Sequence, residues 1–497
     1  MLIYVTGIEE KWERAVAHLI DLFYEDTTIS FQALEQAPDL QIDIQIFLEE
    51  RPQTKVAITD RQGQKVEKAL IIEWNEDLSE AEQRKRLKRG LSQNLLSILQ
   101  DYTGLEQPWG ILTGVRPTKL MHSKLQLGVS KEEVHREFQE EYLVQPEKSK
   151  LLERIVERQL SAVPDLYELK HQVSIYIGIP FCPTKCAYCT FPAYAINGRQ
   201  GSVDSFLGGL HHEIKGIGDW LRQHNIPITT VYFGGGTPTS ITAEEMDDLY
   251  EQMYQSFPHV ERIREITVEA GRPDTITPDK LDVLKKWGIH RISINPQSYI
   301  QETLKAIGRH HTVEETIEKF KLARHMGMDN INMDLIIGLP GEGLEEFEYT
   351  LSETEKLKPE SLTVHTLSFK RASEMTQNKE KYPVASREEI TQMMNKAQLW
   401  TEKHDYSPYY LYRQKNILGN LENIGYSLAG RESLYNIMIM EEAQTIIGLG
   451  CGASSKWVDP KTGKISRFAN PKEPKAYNEN YEYYTSVKID MLNKLFL

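Results

Sequence analysis

Three of the four cysteines in this chain lie close together, in the run Cys182-Pro-Thr-Lys-Cys186-Ala-Tyr-Cys189. The apolar run 173–179 comes directly before them and predicts a buried strand. One loop at the end of that strand can therefore turn three thiolates towards a common centre. A structural zinc site closes with four ligands, and an electron-transfer [4Fe–4S] cluster is usually held by four cysteines. Three thiolates favour a [4Fe–4S] cluster in which one iron has no protein ligand and is free to bind a small molecule.

Two simpler interpretations of the cysteines stay open from the residues alone. A zinc site could be completed by a histidine or by the remote Cys451. Structural disulfides are less favoured, because the N-terminus lacks the basic region of a signal peptide. No apolar stretch approaches the length of a membrane span, so we expect a cytoplasmic protein with reduced thiols. The formal net charge of −14 argues against non-specific nucleic-acid binding.

Strand-like and helical stretches alternate through the middle of the chain. Apolar runs predict strands at 173–179, 229–233, 265–269, 290–294, 331–337 and 361–367. The helices predicted between them include Val203 to Gln223, Ala243 to Gln255, Val313 to Met326 and Leu344 to Leu357. This alternation predicts a parallel sheet with right-handed crossovers. Six units are fewer than the eight of a closed barrel, so we expect an α/β fold with a partial (β/α)6 barrel and active-site groups at the carboxyl ends of its strands.

A chain of 497 residues exceeds one ordinary domain. We expect an α+β domain of unknown role over 1–165, the partial barrel over 166–384, and a smaller C-terminal domain or lid over 385–497. In the first part the pattern predicts strands at Leu2–Val5, Gln41–Leu48 and Thr54–Thr59, and helices at Glu80–Tyr102 and Lys131–Leu160. The loop Trp109–Lys119 between these helices is more typical of packing than of an active site.

Glycines and charged residues follow several of the predicted strands. Gly234–Gly236 come after the second strand and allow a ligand to approach the backbone closely. Glu269 ends the third strand, and Arg272 follows it as a weaker candidate for contact with an anionic substrate. Asp334 lies in the fifth strand segment, where a lone aspartate would more often cap a helix. Together these positions predict one site at the carboxyl edge of the sheet.

The cysteine loop, with Tyr188 before its third cysteine, resembles that of the radical S-adenosylmethionine (SAM) superfamily. In that superfamily the loop carries a [4Fe–4S] cluster whose open iron is chelated by SAM. The run Gly-Gly-Gly-Thr-Pro-Thr and the later polar positions resemble the oxygen-independent coproporphyrinogen III oxidase (dehydrogenase) family, in its HemZ-like branch, over roughly 170–460. The resemblance implies one or two bound SAM molecules and these SAM contacts: Tyr176, Gly235, Gly236, Thr237, Glu269, Gln297, Arg309, Asp334 and Ile336. Of these, Tyr176, Glu269 and Arg309 are the implied catalytic residues.

The resemblance also implies a reaction. Members of the family convert two propionates of coproporphyrinogen III to vinyl groups by hydrogen abstraction and loss of carbon dioxide, giving protoporphyrinogen IX. The implied partners are a tetrapyrrole substrate and a reductant such as flavodoxin or ferredoxin. Propionates need cationic partners, preferably arginine, and the cations near strand ends are Arg309, Arg272, Lys370 and Arg371.

Departures from the family pattern keep other functions open. Phe191 occupies the place of an additional cysteine found in the well-studied dehydrogenases. The stretch Tyr412–Asn416 lacks the cysteine and histidine of the family's haem carriers, which disfavours haem carriage by that element. The alternatives are haem binding or trafficking, and radical methylation or ring opening of another tetrapyrrole.

Two C-terminal segments carry further expectations. The aromatic run Tyr406–Tyr412 is equally typical of a surface covering a tetrapyrrole and of a packed core strand. The run Ile446–Ser455 resembles a family loop that returns to the active site. Cys451 within it is expected to be a small buried residue.

Overall fold

The computed structural model describes residues 1–497 apart from 25–26, 49, 75–76, 114–115, 192, 197–201, 370–372 and 415–416. The described chain divides into two compact units, Met1–Glu153 and Arg154–Leu497. The three-part division with boundaries at 165 and 384 stays a prediction. Among the described residues, no helix is both long enough and apolar enough to cross a lipid bilayer.

The first unit contains a five-stranded sheet with strand order β2-β1-β3-β4-β5. Its elements are β1 (Leu2–Thr6), α1 (Glu10–Ile20), β2 (Thr28–Ser30), β3 (Leu40–Phe47), β4 (Gln53–Asp60), β5 (Lys65–Ile71), α2 (Glu80–Thr103), α3 (Pro117–Gln126), α4 (Lys131–Glu140) and the start of α5 (Pro146–Ala162). Apolar side chains from α1, α2 and the central strands form one core, which includes Trp12, Ile42, Ile58 and Leu95. The α+β character predicted for this part is confirmed.

The single helix predicted over Lys131–Leu160 is wrong. The structure has two helices there, α4 and α5, separated by residues 141–145. Leu143 has a φ of 55°, a left-handed conformation that a helix cannot continue through. Pro146 begins the second helix, a position where its missing N–H costs nothing.

The loop after α2 packs within the first unit. Trp109 is fully buried, and a Cβ on Gly110 would lie 2.1 Å from the carbonyl oxygen of Tyr142. These contacts agree with the packing interpretation of the Trp109–Lys119 loop. Its residues Gly114 and Val115 lie outside the described part of the chain.

The second unit is built on an eleven-stranded sheet. Its strands and helices are, in chain order, β6 (Val173–Ile179), β7 (Phe181–Cys182), β8 (Tyr194–Ala195), α6 (Val203–Gln223), β9 (Ile228–Gly235), α7 (Ala243–Ser256), β10 (Glu265–Glu269), α8 (Pro278–Lys286), β11 (Arg291–Ser293), α9 (Gln301–Ala306), α10 (Val313–His325), β12 (Ile331–Ile337), α11 (Leu344–Leu357), β13 (Ser361–Thr366), α12 (Glu374–Gln377), α13 (Arg387–Lys403), β14 (Ser407–Tyr412), β15 (Asn423–Ser427), α14 (Leu434–Glu441), β16 (Thr445–Gly450), β17 (Ser454–Val458), β18 (Ile465–Ala469) and α15 (Pro474–Phe496).

The six predicted βα strands are confirmed as neighbours in one parallel sheet, in the order β13-β12-β11-β10-β9-β6. Helices follow these strands, and both faces of the strands are largely buried, as a sheet covered by crossover helices requires. At one end β13 pairs with the antiparallel β15. The sheet therefore stays open, as expected for a partial barrel.

A seventh parallel strand extends the sheet beyond the six that were predicted. β16 pairs with β6 in register from Thr445 opposite Val173 to Gly450 opposite Gly178. A Cβ on Gly450 would lie 2.3 Å from the carbonyl oxygen of Gly178. The segment after β16 thus reaches the edge where the cysteine loop begins, as the expected returning loop does.

Residues Ser407–Tyr412 of the aromatic run Tyr406–Tyr412 form β14 in the core. Tyr409 is fully buried and Tyr410 is 5% exposed. The rings of Tyr410 and Tyr412 stack at 6.4 Å between centroids. The run is therefore a packed strand, the second of its two interpretations.

Candidate functional site

The three clustered cysteines lie at the carboxyl edge of the parallel sheet, directly after β6. Cys182 is buried in the short strand β7, while Cys186 and Cys189 are half-buried, and none of these three described cysteines is in a disulfide. A turn brings the Cys189 N–H to the Cys186 carbonyl oxygen at 3.1 Å. Burial raises the pKa of Cys182 to about 11, so a metal bound there must displace its proton.

The glycine loop after β9 holds the start of the cysteine loop. The Gly236 N–H donates to the Ile179 carbonyl and the Thr237 N–H donates to the Phe181 carbonyl, each at 2.7 Å. The Thr237 hydroxyl lies 3.3 Å from the Cys182 sulfur. Gly235 has a φ of 109°, and a Cβ on Gly236 would lie 2.5 Å from the Phe181 carbonyl oxygen. Only glycine fits at these two positions without moving the cysteine loop.

The end of α9 holds the middle of the cysteine loop. The Ala187 N–H donates to the Ile307 carbonyl at 3.0 Å, and the Thr184 hydroxyl donates to the Gly308 carbonyl at 3.1 Å. Arg309 follows directly. It is 4% exposed and donates to the carbonyl oxygens of Asn295 and Gly271. Burial alone would lower the pKa of Arg309, but its interactions with Tyr188 and Cys186 outweigh burial and raise that pKa.

Arg272 does not point at an open substrate site, contrary to the expectation from sequence. Its Nε and Nη2 donate to the two carboxylate oxygens of Asp274, each at 3.0 Å. Its Nη1 donates to Thr184 and lies 3.9 Å from the Cys186 sulfur. All three guanidinium nitrogens are therefore engaged within the protein. Of the other proposed propionate partners, Arg309 likewise donates to backbone carbonyl oxygens, while Lys370 and Arg371 lie outside the described residues.

A stack of tyrosines adjoins Glu269. The ring of Tyr232 lies 6.2 Å from that of Tyr176 and 4.4 Å from that of Tyr435, measured between centroids. The Tyr232 hydroxyl donates to Glu269 at 2.5 Å. Burial raises the pKa of Glu269 to about 7, although the bond from Tyr232 opposes the rise. A Cβ on Gly234 would lie 3.0 Å from the Glu269 carboxylate, so the glycine loop and this carboxylate are immediate neighbours.

Tyr435 is a contributor that sequence reasoning missed. It lies in α14, whose first turn is held by the buried Glu265 carboxylate through the Leu434 and Tyr435 N–H groups and the Ser433 hydroxyl. A carboxylate at a helix N-terminus is stabilised by the helix dipole. Nothing in the local sequence signals this contact, because 168 positions or more separate Glu265 from its partners in the chain.

Gln297, Asp334 and Ile336 are joined through their backbones. The Gln297 N–H donates to the Asp334 carbonyl at 2.9 Å, and the Ile336 N–H donates to the Gln297 carbonyl at 3.0 Å. Gln297 has a φ of 65°. Its Oε1 is buried and has no hydrogen-bond partner among the described residues. A buried acceptor of this kind is costly unless a ligand supplies the donor.

Asp334 takes part in a network that the sequence did not predict. His365 Nε2 lies 3.5 Å from the Asp334 carboxylate, and Tyr412 Oη lies 3.2 Å from His365 Nδ1. Burial alone would raise the pKa of Asp334, but the hydrogen bonds and charge of its neighbours, His365 first, lower it. Asp334 is thereby kept as an acceptor at neutral pH.

These residues fit a thiolate-bound cluster with an organic ligand beside it. Three thiols outside any disulfide share one loop, two buried guanidinium groups lie near Cys186, and Gln297 offers a buried acceptor without a hydrogen-bond partner among the described residues. Among the described residues, no three His, Cys, Asp or Glu side chains lie close enough to hold one metal ion. A [4Fe–4S] cluster binds each thiolate through a different iron, so its ligands need not converge on one ion.

The chain is similar to several known proteins in sequence and in fold. Residues 176–353 match the family model of the radical SAM superfamily. The chain is 61% identical over 497 residues to a Bacillus subtilis (strain 168) protein named oxygen-independent coproporphyrinogen-III oxidase-like protein HemZ, covering 100% of this chain and 99% of that protein. It is 30% identical over 282 residues to heme chaperone HemW of the same organism, covering 56% and 70% of the two chains. The structure of the coproporphyrinogen III oxidase HemN from Escherichia coli matches at a TM-score of 0.52 with 21% identity, over 66% of this chain and 72% of that one.

Proposed function

The chain belongs to the oxygen-independent coproporphyrinogen-III oxidase-like family of the radical SAM superfamily, and from this premise we propose that it decarboxylates coproporphyrinogen III to protoporphyrinogen IX in haem biosynthesis. For each of two propionates, one hydrogen atom leaves the β-carbon, the carboxyl group leaves as carbon dioxide, and one electron passes to an external acceptor. The proposal includes a cytoplasmic location and a reductant such as flavodoxin or ferredoxin.

The superfamily implies a [4Fe–4S] cluster and SAM, which together supply one-electron reduction and hydrogen-atom abstraction when bound. Cys182, Cys186 and Cys189 would hold the cluster. Gly235, Gly236 and Thr237 would present backbone groups to SAM, and Glu269 and Asp334 would accept hydrogen bonds from it. The protein itself binds and orients the cofactors and the substrate, and it excludes water from the site.

The observation that carries the proposal is the contact between the glycine loop and the cysteine loop. Thr237 meets the Cys182 sulfur at 3.3 Å, and Gly234 meets Glu269. The glycine loop would therefore lie between a cluster held by the cysteines and a SAM molecule held at Glu269, and the two cofactors would be close to each other. One-electron transfer to SAM requires this proximity.

The glycine loop gives a first test. Gly236→Ala should lower deoxyadenosine formation by roughly a hundredfold, because its Cβ would push on the Phe181 carbonyl and displace the cysteine loop by a fraction of an ångström or more. The rate of SAM cleavage by the reconstituted protein measures this. Gly208→Ala in α6 is the matched control, since a Cβ there meets nothing within 4 Å. Equal loss in both variants would contradict the assignment of the loop.

The pH dependence of SAM binding gives a second test. Because the pKa of Glu269 is raised to about 7, its carboxyl is mostly protonated at pH 6 and mostly ionised at pH 8. An ionised carboxylate is the better acceptor, so SAM affinity should rise by about tenfold over that interval. Equilibrium binding at several pH values measures the rise.

Two variants separate Glu269 from other titrating groups. Glu269→Gln should remove most of the pH dependence of SAM binding. Only the part that titration of SAM itself supplies should remain. Tyr232→Phe should move its midpoint to higher pH, because the bond from Tyr232 lowers the Glu269 pKa. A wild-type pH dependence that persists unchanged in Glu269→Gln would contradict the role given to this carboxylate.

Haem handling is a second candidate, which the similarity to heme chaperone HemW supports. The stretch Tyr412–Asn416 corresponds to the haem-carrier element but lacks its cysteine and histidine. Within this stretch, Lys415 and Asn416 lie outside the described residues. Titration of the protein with haem would distinguish this function. A saturable Soret shift without any deoxyadenosine formation would favour it over the dehydrogenase.

An anaerobic assay tests the proposed function. The cluster is reconstituted, dithionite, SAM and coproporphyrinogen III are added, and deoxyadenosine and porphyrin products are followed by mass spectrometry. Stepwise loss of two carboxyl groups supports the proposal. Deoxyadenosine without decarboxylation would redirect the search to another tetrapyrrole, and transfer of labelled methyl from SAM to product would identify a methyl transfer.

A further inference from the structure

We propose that Arg272 is a positioning residue for the cysteine loop and that its charge, partly compensated by Asp274, tunes the reduction potential of the cluster on that loop. The inference rests on the proposed function only in requiring that a [4Fe–4S] cluster binds to Cys182, Cys186 and Cys189. It does not depend on the identity of the tetrapyrrole.

The contacts of Arg272 divide between its two edges. Nε and Nη2 form a bidentate pair with Asp274 at 3.0 Å. Nη1 donates to the Thr184 hydroxyl at 3.0 Å and to the Thr184 carbonyl at 3.3 Å, and it lies 3.9 Å from the Cys186 sulfur. Thr184 sits between the first two cysteines. Asp274 therefore fixes the guanidinium from one side while the other side grips the cysteine loop.

Because Arg272 is buried, solvent screens its charge only weakly. The side chain is 3% exposed, whereas that of Asp274 is 25% exposed. Solvent screens a buried charge less than an exposed one, so the guanidinium outweighs its partner at the Cys186 sulfur. A nearby positive charge stabilises the more negative, reduced state of a cluster. Hydrogen bonds and charges around the sulfurs are known to set such potentials.

Burying the Arg272 guanidinium has a free-energy cost, which its hydrogen bonds offset. Placing a guanidinium away from water is costly unless its donors are all used, and here all three nitrogens are used. A lysine would keep the charge but lose the planar fork that joins Asp274 to Thr184. Arginine is thus required for geometry and charge together, which gives two separable experimental signatures.

The test uses reconstituted full-length protein and has two readouts. The first is the iron content, and the second is the midpoint potential of the cluster, measured by an EPR-monitored redox titration. Arg272→Ala should shift the reduction equilibrium about tenfold towards the oxidised state, a midpoint lower by about 59 mV for one electron. Asp274→Asn should shift the midpoint in the opposite direction, since it leaves the guanidinium charge uncompensated. Arg272→Lys should keep the midpoint nearer that of the wild type while losing iron faster to a chelator.

Arg262→Ala is the matched control. It removes an arginine that is 76% exposed and precedes the opposite end of the same strand, β10, so neither readout should change. Equal midpoints in the wild type and in cluster-loaded Arg272→Ala or Asp274→Asn would overturn the tuning role, and unchanged iron retention in Arg272→Lys would overturn the positioning role. If Arg272→Ala binds no cluster, Asp274→Asn and Arg272→Lys still decide both points. Failure of the wild type to bind a cluster would instead refute the proposed function.

Discussion

Replacing any one of Cys182, Cys186 and Cys189 with alanine should abolish deoxyadenosine formation, by more than about a thousandfold. The three thiols share one loop that the glycine loop and the end of α9 hold in place. Loss of one thiolate removes a third of the protein ligands expected for the cluster, and the cofactor carries the reactivity. Iron and sulfide analysis of each reconstituted variant, with the rate of SAM cleavage, measures the effect.

Cys451→Ala is the control for these three variants. Cys451 is also buried, but its thiol donates to the carbonyl oxygens of Pro471 and Lys472. This variant should keep its iron and its cleavage activity. Loss of iron in Cys451→Ala as complete as in the other three would indicate a fourth protein ligand and contradict the open iron.

Lys488→Met should destabilise the second unit by about 3–5 kcal/mol, because it leaves an uncompensated buried charge on Glu213. Both side chains of the Lys488–Glu213 ion pair are fully buried. Glu213 also accepts hydrogen bonds from the Gly450 N–H at 2.7 Å, the Tyr477 hydroxyl at 2.7 Å and the Asn470 amide. The pair therefore fastens α15, α6 and the end of β16 to one another. Urea unfolding of the purified variant measures the loss.

Helix α6, which carries Glu213, also offers a control for this ion pair. Lys215 and Asp219 in α6 form an exposed pair, with 65% and 48% of their side chains accessible. Lys215→Met should change the free energy of unfolding by no more than about 0.5 kcal/mol. Similar losses in Lys488→Met and Lys215→Met would show that the buried pair does not join these elements as described.

Local sequence patterns were sufficient to predict the central sheet. The run 173–179 is apolar throughout, ends before Pro180 and leads into the cysteines, and it forms β6 as expected. The same reasoning located the other five strands, and it predicted α6 with the bounds that the structure has. Continuous apolar runs separated by helical periods carry this information.

Contacts between distant segments could not be predicted in the same way. β16 is glycine-rich, and its pairing with β6 depends on Gly450 approaching Gly178, which no local pattern encodes. The contacts of Arg272 with Thr184 and of His365 with Asp334 depend likewise on side-chain directions at the sheet edge. The resemblance to a family supplied the candidate SAM contacts, while the structure supplied the residues that hold them in place.

The most direct test of the proposed reaction follows a single hydrogen atom. Coproporphyrinogen III carrying deuterium at the β-carbons of its propionates is incubated anaerobically with the reconstituted protein, SAM and dithionite, and the deoxyadenosine is analysed by mass spectrometry. The proposal predicts one deuterium in each deoxyadenosine formed with substrate, together with a porphyrinogen product lacking two carboxyl groups. Unlabelled deoxyadenosine and unchanged substrate, from protein with a full cluster and bound SAM, would contradict it.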